Sequence, residues 1–597
     1  MISFKNKFFS KAGRVCCGVA TAMVVGMGLS SCEDFFEQES DHVLFADQEH
    51  LNNAVDTIYS VVGIMDKLQL LADRTILLGE LRGDLVELTD YAPANVRQIY
   101  NFSIDDDNIY NQPRDYYAVI NNCNYFIEHA DTALKNNRDE YIFMREYAAV
   151  KAYRAWTYLQ LALNYGQVRY VTKPILTKQD ADAESSYELI GIAPLCDRLI
   201  ADLTPLVPTY QRDYPGLGTI SGVDTRLSYF PLWIMLGELN LWAGHYREAA
   251  LCYYNYLNTR NGEANAYPTG TDAATWGFRQ PTTWRYQYVG SLSFGNAYST
   301  RGELITEIPI SAEYDSVANA HYNQLRVLFN SRDDNDYHVS IVPSQSLKDL
   351  SEQQWYCMVT TEGDTIYAPR TLEDNQTGDL RLLDWWRTTD NFRGKNNEQV
   401  TYQQIYKFMY RHVNIWRRQM VYLHMAEALN RAGYPRMAFK VLEEGISNQS
   451  IASGVLPYYT SVSDSAYIKQ FDFQNQYYVL EGSATYTATQ QGIHSRGSGD
   501  SRANQYYKFP EFTTADSLEL QIDSIERMIV NEGALEFAFE GQRFYDLMRI
   551  ALRRGDPSFL ANRVAQRNGV LDASLQSKLM NTNAWYLNWN KKLGLGE

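Results

Sequence analysis

Cysteine is scarce in this chain: seven residues in 597, only four of which lie beyond residue 32. Cys123, Cys196, Cys252 and Cys357 are widely spaced and form no Cys-x-x-Cys pair, which excludes the patterns of a thiolate metal site or a redox motif. Buried free thiols are the expectation, and one disulfide is the alternative in an oxidising compartment. The nine His include no His-Glu-x-x-His pair, so a catalytic zinc is unsupported. Positive charge is also short, with 54 Lys+Arg against 71 Asp+Glu and a net charge of −17. Phosphate backbones are held by clustered Lys and Arg, so this balance argues against a nucleic-acid partner. Past the N-terminal segment no stretch approaches eighteen uncharged apolar residues, the length a spanning helix needs. No cofactor is expected from any of these patterns.

What is present is ordinary globular material, 45% hydrophobic and 21% charged, long enough for a large core without covalent staples. Length alone gives a prior of about four domains. Aromatic residues stand out, at 13% of the chain with 45 Tyr, 24 Phe and 11 Trp. Tyrosine joins a flat apolar face to a polar tip, which suits either a wet binding surface or half-buried packing.

The N-terminus points to a compartment. Lys5, Lys7, Lys11 and Arg14 precede a charge-free run over residues 15–29, too short to span a bilayer comfortably and matched to a signal-peptide core. The run ends in Leu29-Ser30-Ser31-Cys32, which resembles a bacterial lipobox with Cys32 as the acylated residue. An ordinary signal peptide with an incidental Cys is the alternative. Glu33, Asp34, Glu37, Glu39 and Asp41 follow at once, similar to the surface-export signal of some Gram-negative lipoproteins. The expected product has residues 1–31 removed, is held to a membrane by lipid only, and is otherwise soluble.

Three blocks read as helices. Residues 141–165 place Ala148, Ala152, Ala155, Leu159 and Ala162 on one face, with Gly166 as the stop, an amphipathic pattern. Trp233-x2-Leu236-Gly237 is followed by Gly244, Tyr246, Ala249 and Tyr253, and Gly433-x4-Ala438-x3-Leu442 repeats the spacing of Gly244-x4-Ala249-x3-Tyr253. These are tetratricopeptide-like helix-turn-helix units. Near the C-terminus, Glu532, Glu536, Glu540, Arg543, Asp546 and Arg549 interleave acid and base. A partly buried ion network is expected there. A carboxylate pair for acid–base chemistry is the alternative, disfavoured because a neighbouring Arg lowers a carboxyl pKa.

Together the lipobox, Ala152-Tyr153-Arg154-Ala155 running into Asn164-Tyr165-Gly166, Met425-Ala426-Glu427-Ala428-Leu429-Asn430, Gly492-Ile493-His494-Ser495-Arg496-Gly497 and Glu536-Phe537-Ala538-Phe539-Glu540-Gly541-Gln542-Arg543 resemble SusD/RagB-like outer-membrane lipoproteins. The resemblance covers the whole mature chain. It implies a mainly α fold: a tetratricopeptide-like scaffold of four helical pairs, with long loop-rich insertions carrying the ligand site. It implies one domain over residues 32–597, with scaffold at about 45–260, 405–450 and 515–560 and insertions at about 261–404 and 450–514. It implies a non-catalytic, surface-exposed protein that captures an oligosaccharide and passes it to a SusC-like TonB-dependent transporter. A peptide ligand is the alternative within that architecture. A lipid-anchored glycoside hydrolase is a further alternative, without a supporting motif.

A glycan site needs exposed aromatic planes beside hydroxyl-binding polar groups. The resemblance directs attention to residues 83–110 and 261–298. In the first, Asp84, Tyr91, Asn95, Arg97 and Tyr100 combine both chemistries; in the second, Trp276, Trp284 and Tyr286 are the stacking candidates. The competing reading of each aromatic is that it pins a loop to the scaffold. In Trp385-Trp386 at most one ring would face a ligand, because adjacent strand residues point oppositely. Asp105-Asp106-Asp107-Asn108 and Asp333-Asp334-Asn335-Asp336 are oxygen-rich but lack the Gly and distant Glu of a calcium loop, so solvated turns are expected rather than metal sites.

Overall fold

A computed structural model of the chain describes residues 56–207, 219–220, 223–259, 277–279, 286–288, 304–309, 324–332, 335–359, 363–367, 378–379, 381–408, 412–473, 492–591 and 593. The described residues form one compact unit. The signal segment, Cys32, Trp276 and Trp284 lie outside the described residues.

Antiparallel helical pairs build the scaffold, and each turn follows from its sequence. The helix Leu232–Ala243 ends at Gly244, whose φ of 87° is left-handed, and Tyr246–Thr259 returns against it. A Cβ on Gly237 would come within 2.5 Å of the Tyr253 ring, so the small residue in the first helix makes room for the aromatic in the second. Arg418–Arg431 and Pro435–Glu443 repeat the device, with Gly433 at φ 94° and Ala438 fully buried. Pro113–His129 pairs with Met144–Tyr165, and Gly166 stops the latter at φ 76°. Ser517–Phe537 and Arg543–Arg554 form the C-terminal pair.

One helix differs from its sequence pattern. Met144–Tyr165 is buried on nearly every side from Ala148 to Asn164 rather than along one stripe. It packs against Pro113–His129 on one side and against Ile192–Leu203 and Leu232–Ala243 on others. Polar residues inside it find partners: Arg154 bonds to Asn124 and Asp202, and Thr157 to the Tyr153 carbonyl. All the strands are short, and every described sheet has two of them. The span 450–514, expected to be loop-rich, contributes the short helices Asn448–Gly454 and Val462–Ile468. Cys123, Cys196, Cys252 and Cys357 are free and buried.

Charged groups tie the helices together. Glu238 accepts from Tyr253 and from His424, 2.6 Å away. Glu427 is held by Arg549 and Arg553, and Glu526 by Arg431, Arg553 and Arg554. The acidic block of the C-terminal pair is the expected ion network. Glu536 and Glu540 are buried and bonded to Arg381, Lys407, Arg417 and Arg496.

Glu307 is a contrasting case. It lies in the strand Leu304–Pro309, opposite Asn414, is 5% exposed, and burial pushes its carboxyl up to about 7. An acid whose folded pKa lies above its unfolded value binds more protons when folded. Its contribution is therefore complete below the ordinary glutamate value of 4.5 and is lost as pH rises through about 7. Glu307→Gln should remove that slope, with a gain of at most about 3 kcal/mol over the wild type at pH 8 relative to pH 4. Urea midpoints across this range check it; parallel pH profiles for the two proteins would refute it.

Candidate functional site

The buried ion network also fixes the root of a surface cleft. The helix Ala72–Glu80 is clamped to the C-terminal block: Glu80 accepts from the Phe539 and Gly541 amides, at 2.9 and 3.0 Å. A Cβ on Gly79 would meet the Gly541 carbonyl at 1.7 Å, so the two backbones touch there. Four residues on, Asp84 forms a forked pair with Arg543, one arm at 2.9 Å. The Arg543 guanidinium holds the Asp84 carboxyl below its usual range against the burial that would raise it.

From this anchor the chain runs into the strand Val86–Leu88, antiparallel to Ile341–Pro343. The turn after it is bonded throughout. Thr89 N–H donates to the Ser340 carbonyl, its hydroxyl to the Val339 carbonyl at 2.6 Å, and Ser340 Oγ to the Tyr91 carbonyl. Arg97 reaches back to the Ala92 and Thr89 carbonyls at 3.0 and 2.8 Å. The turn thereby presents Tyr91, whose side chain is 58% exposed and lies on the His338 ring with centroids 3.7 Å apart and planes 6° from parallel.

The facing wall comes from residues 335–339 and the hairpin Trp386–Arg393/Gln399–Ile405. Asp336 and Tyr337 both take positive φ, 52° and 60°, unusual for non-glycine residues and retained where surroundings hold them. The holding groups are visible. Tyr337 N–H donates to the Arg332 carbonyl at 2.7 Å, Lys395 N–H donates to the Tyr337 hydroxyl at 2.8 Å, and Ser331 N–H donates to the Gln403 carbonyl. A bulge between Thr389 and Phe392 brings Phe392 against Tyr402, with centroids 4.9 Å apart, and beside Tyr337 at 6.2 Å. The result is a cleft of about 340 Å³ lined by Thr89, Tyr91, Asp336, Tyr337, His338, Val339 and the strand residues Val400, Thr401 and Gln403.

The candidates read from the sequence therefore separate. Tyr91 lines the cleft. Arg97 braces the turn that carries it, and Asn95 lies on the helix Ala94–Tyr100 behind it, its carbonyl accepting from Asn108. Asp84 and Tyr100 do not face a ligand: Asp84 is 4% exposed in its ion pair, and Tyr100 is buried, bonded to Asn568 and covered by the Arg567 guanidinium. Their ring and carboxylate chemistry is used inside the fold. Tyr286 sits in the short strand Tyr286–Tyr288, opposite Arg279, and its side chain lies outside the described residues. Trp385 is buried with Lys407 Nζ over its ring, while Trp386 is half-buried in the hairpin. Asp105, Asp106 and Asp107 contact Gln98, the Asn590 amide and Lys591, and no cluster of potential metal ligands occurs among the described residues.

Tyr337, His338, Phe392 and Tyr402 were not singled out by sequence reasoning. A signal for the hairpin exists: two β-rich runs flank Gly394-Lys395-Asn396-Asn397, a turn-forming stretch. Nothing local indicates that residue 91 meets residue 338.

No protein-family model and no curated protein matches the sequence. Solved structures do match the fold. A SusD superfamily protein of Bacteroides vulgatus ATCC 8482 superposes with a TM-score of 0.52 at 13% identity, covering 89% of this chain and 92% of its own. A SusD superfamily protein of Bacteroides thetaiotaomicron VPI-5482 gives 0.51 at 15%, covering 90% and 98%. A protein of Bacteroides vulgatus ATCC 8482 provisionally described as sugar binding gives 0.51 at 16%, covering 84% and 88%. The chain therefore shares the fold of these SusD superfamily structures, in agreement with the SusD/RagB resemblance that its own residues carry.

Proposed function

We propose that the protein captures a neutral glycan at the Tyr91 cleft and acts as a binding protein rather than an enzyme. The observation that carries this reading is the pairing of an exposed, braced tyrosine plane with a wall of polar side chains from Asp336, Thr401 and Gln403. An aromatic plane takes the C–H face of a sugar ring, and the polar wall takes its hydroxyls. The volume of about 340 Å³ lies at the low end for ligand pockets, which fits one or two sugar units of a longer chain. Charge supports the word neutral. The described lining contains one carboxylate, Asp336, and no Lys or Arg. A uronate or sulfate group would lose its hydration there without gaining a cation. A single carboxylate also falls short of the pair that glycoside hydrolysis uses.

Cell-surface display through a lipid on Cys32 and delivery of the glycan to a SusC-like TonB-dependent transporter complete the proposal. The N-terminal pattern and the SusD-like fold support it. Calorimetric titration of the purified protein against neutral polysaccharides, polygalacturonate, sulfated glycans and mixed peptides tests the ligand class. Binding of a neutral polymer without release of reducing ends is the expected result. Preferential binding of the anionic polymers or of peptides, or release of reducing sugar, would overturn it.

A further inference from the structure

A second cleft lies on another part of the surface and shares no lining residue with the first. It measures about 230 Å³ and is bounded by the helices Pro113–His129 and Met144–Tyr165, the strand Gln167–Arg169 and, from the C-terminal segment, residues 587–589, 591 and 593. Its walls include Tyr117, Leu161 and Trp589, and Leu189 at the lip is 48% exposed.

The C-terminal segment is pinned, so the cleft is preformed. Leu587 N–H donates to the Asn164 carbonyl at 2.8 Å, Asn111 Nδ2 to the Asn588 carbonyl at 2.9 Å, and Lys591 Nζ to Asp107 at 2.7 Å. A preformed site avoids the ordering cost of assembling one on binding.

Three charged residues line this cleft: Lys591 is spent on Asp107 and the Asp106 carbonyl, while Arg169 and Glu184 do not pair with each other. Arg169 donates from Nη1 to the Tyr187 carbonyl at 2.9 Å, and Glu184 Oε2 accepts from the Leu593 amide at 3.0 Å. That leaves guanidinium donors on Arg169 and one carboxylate oxygen on Glu184 unused beside the side-chain amides of Gln167 and Asn588. Held apart, they suit a ligand whose neighbouring groups both donate and accept. A sugar diol does this: one hydroxyl donates a hydrogen bond to the carboxylate while the other accepts one from the guanidinium. A purely anionic ligand would leave Glu184 repelled, and a cationic one Arg169.

We propose that this cleft is a second saccharide site, sized for a single pyranose-like ring and independent of the Tyr91 cleft. A zwitterionic amino acid is the competing occupant. Saturation-transfer NMR on the purified protein tests this, with methyl glycosides of glucose, galactose, mannose and xylose as probes and leucine and glycine as zwitterions. At least one glycoside should show transfer, and Arg169→Met and Glu184→Gln should each weaken it roughly tenfold. Both residues are half-buried at the surface, and unchanged melting temperatures would show that the fold is intact. Absence of transfer from every glycoside, transfer that survives both substitutions, or preference for the amino acids would overturn the proposal. A signal lost in Tyr91→Ala but kept in Arg169→Met would assign the glycosides to the first cleft and overturn it equally, whereas loss only in the Arg169 and Glu184 variants supports it even if the first cleft binds nothing.

Discussion

Glu536→Ala should remove about 3–5 kcal/mol of stability, the cost of breaking a buried ion pair by deleting one partner. Glu536 is fully buried, and three guanidinium groups converge on it: Arg417 at 2.6 Å, Arg381 at 2.9 Å and Arg496 at 3.0 Å. They come from three distant segments, so one carboxylate closes the short helix Arg381–Trp385, the strand His412–Arg417 and the short helix Ser495–Ser498 onto the C-terminal pair. Asp379, Glu532 and Glu540 remain as partial partners for these cations, which keeps the loss from exceeding that range. A typical native state has about 5–15 kcal/mol in total, so the variant should be partly unfolded or thermally labile. The three cations hold the Glu536 carboxyl well below the usual carboxylate range. Its stabilisation is thus present above the unfolded pKa near 4.5 and is lost as pH falls through the lower folded value. Wild type should lose stability steeply below about pH 4, and the Ala variant should show a shallower acid limb from an already lower plateau. Denaturation midpoints between pH 3 and pH 7 measure both effects. A variant within about 0.5 kcal/mol of wild type would show that Glu536 is no more than a replaceable surface-like charge.

The same network shows what a sequence can and cannot reveal. Acid–base interleaving over residues 532–549 is a local pattern, and it correctly indicates an ion network. That Arg381, Arg417 and Arg496 complete it depends on contacts 40 to 155 residues apart in the chain, for which no periodicity exists. The helical pairs were legible for the converse reason. Gly244 and Gly433 act through their own backbone conformation, and Ala438 through helix spacing, all within one turn-and-return unit. Met144–Tyr165 was legible as a helix but not in its burial, because Arg154, Thr157 and Asn164 look like a solvent face until their partners are known. At the cleft, Tyr91 was legible as an aromatic in a polar turn. Asp84 and Tyr100 carry the same residue chemistry a few positions away and are consumed by Arg543 and Arg567, partners more than 450 residues distant. Composition gives the chemistry available to a site; only long-range packing decides which copies of that chemistry remain exposed to use it.

Tyr91→Ala should weaken glycan binding by about 10- to 100-fold, equivalent to roughly 1.4–2.8 kcal/mol, the range for truncating a central aromatic contact. The cost to stability should be small. Tyr91 is 58% exposed, its ring contact is with His338, and its turn is held by Thr89, Ser340 and Arg97 through groups that the substitution leaves intact. Surface changes of this kind lie within about 0.5 kcal/mol, so lost binding with an unchanged melting temperature isolates the ring itself. Arg97→Met separates presentation from contact. It keeps the aromatic ring and removes two hydrogen bonds to the turn carbonyls, at 3.0 and 2.8 Å. A stacking plane that must be held still loses part of its advantage when its support is loosened, because ordering it is then charged to binding. Arg97→Met should therefore bind more weakly than wild type but more tightly than Tyr91→Ala. Calorimetry with whichever neutral polymer the wild type binds places the three proteins in order. Equal affinity of Tyr91→Ala and wild type would remove the Tyr91 cleft from the binding site, and an Arg97→Met defect larger than that of Tyr91→Ala would show that the turn backbone, rather than the ring, makes the contact.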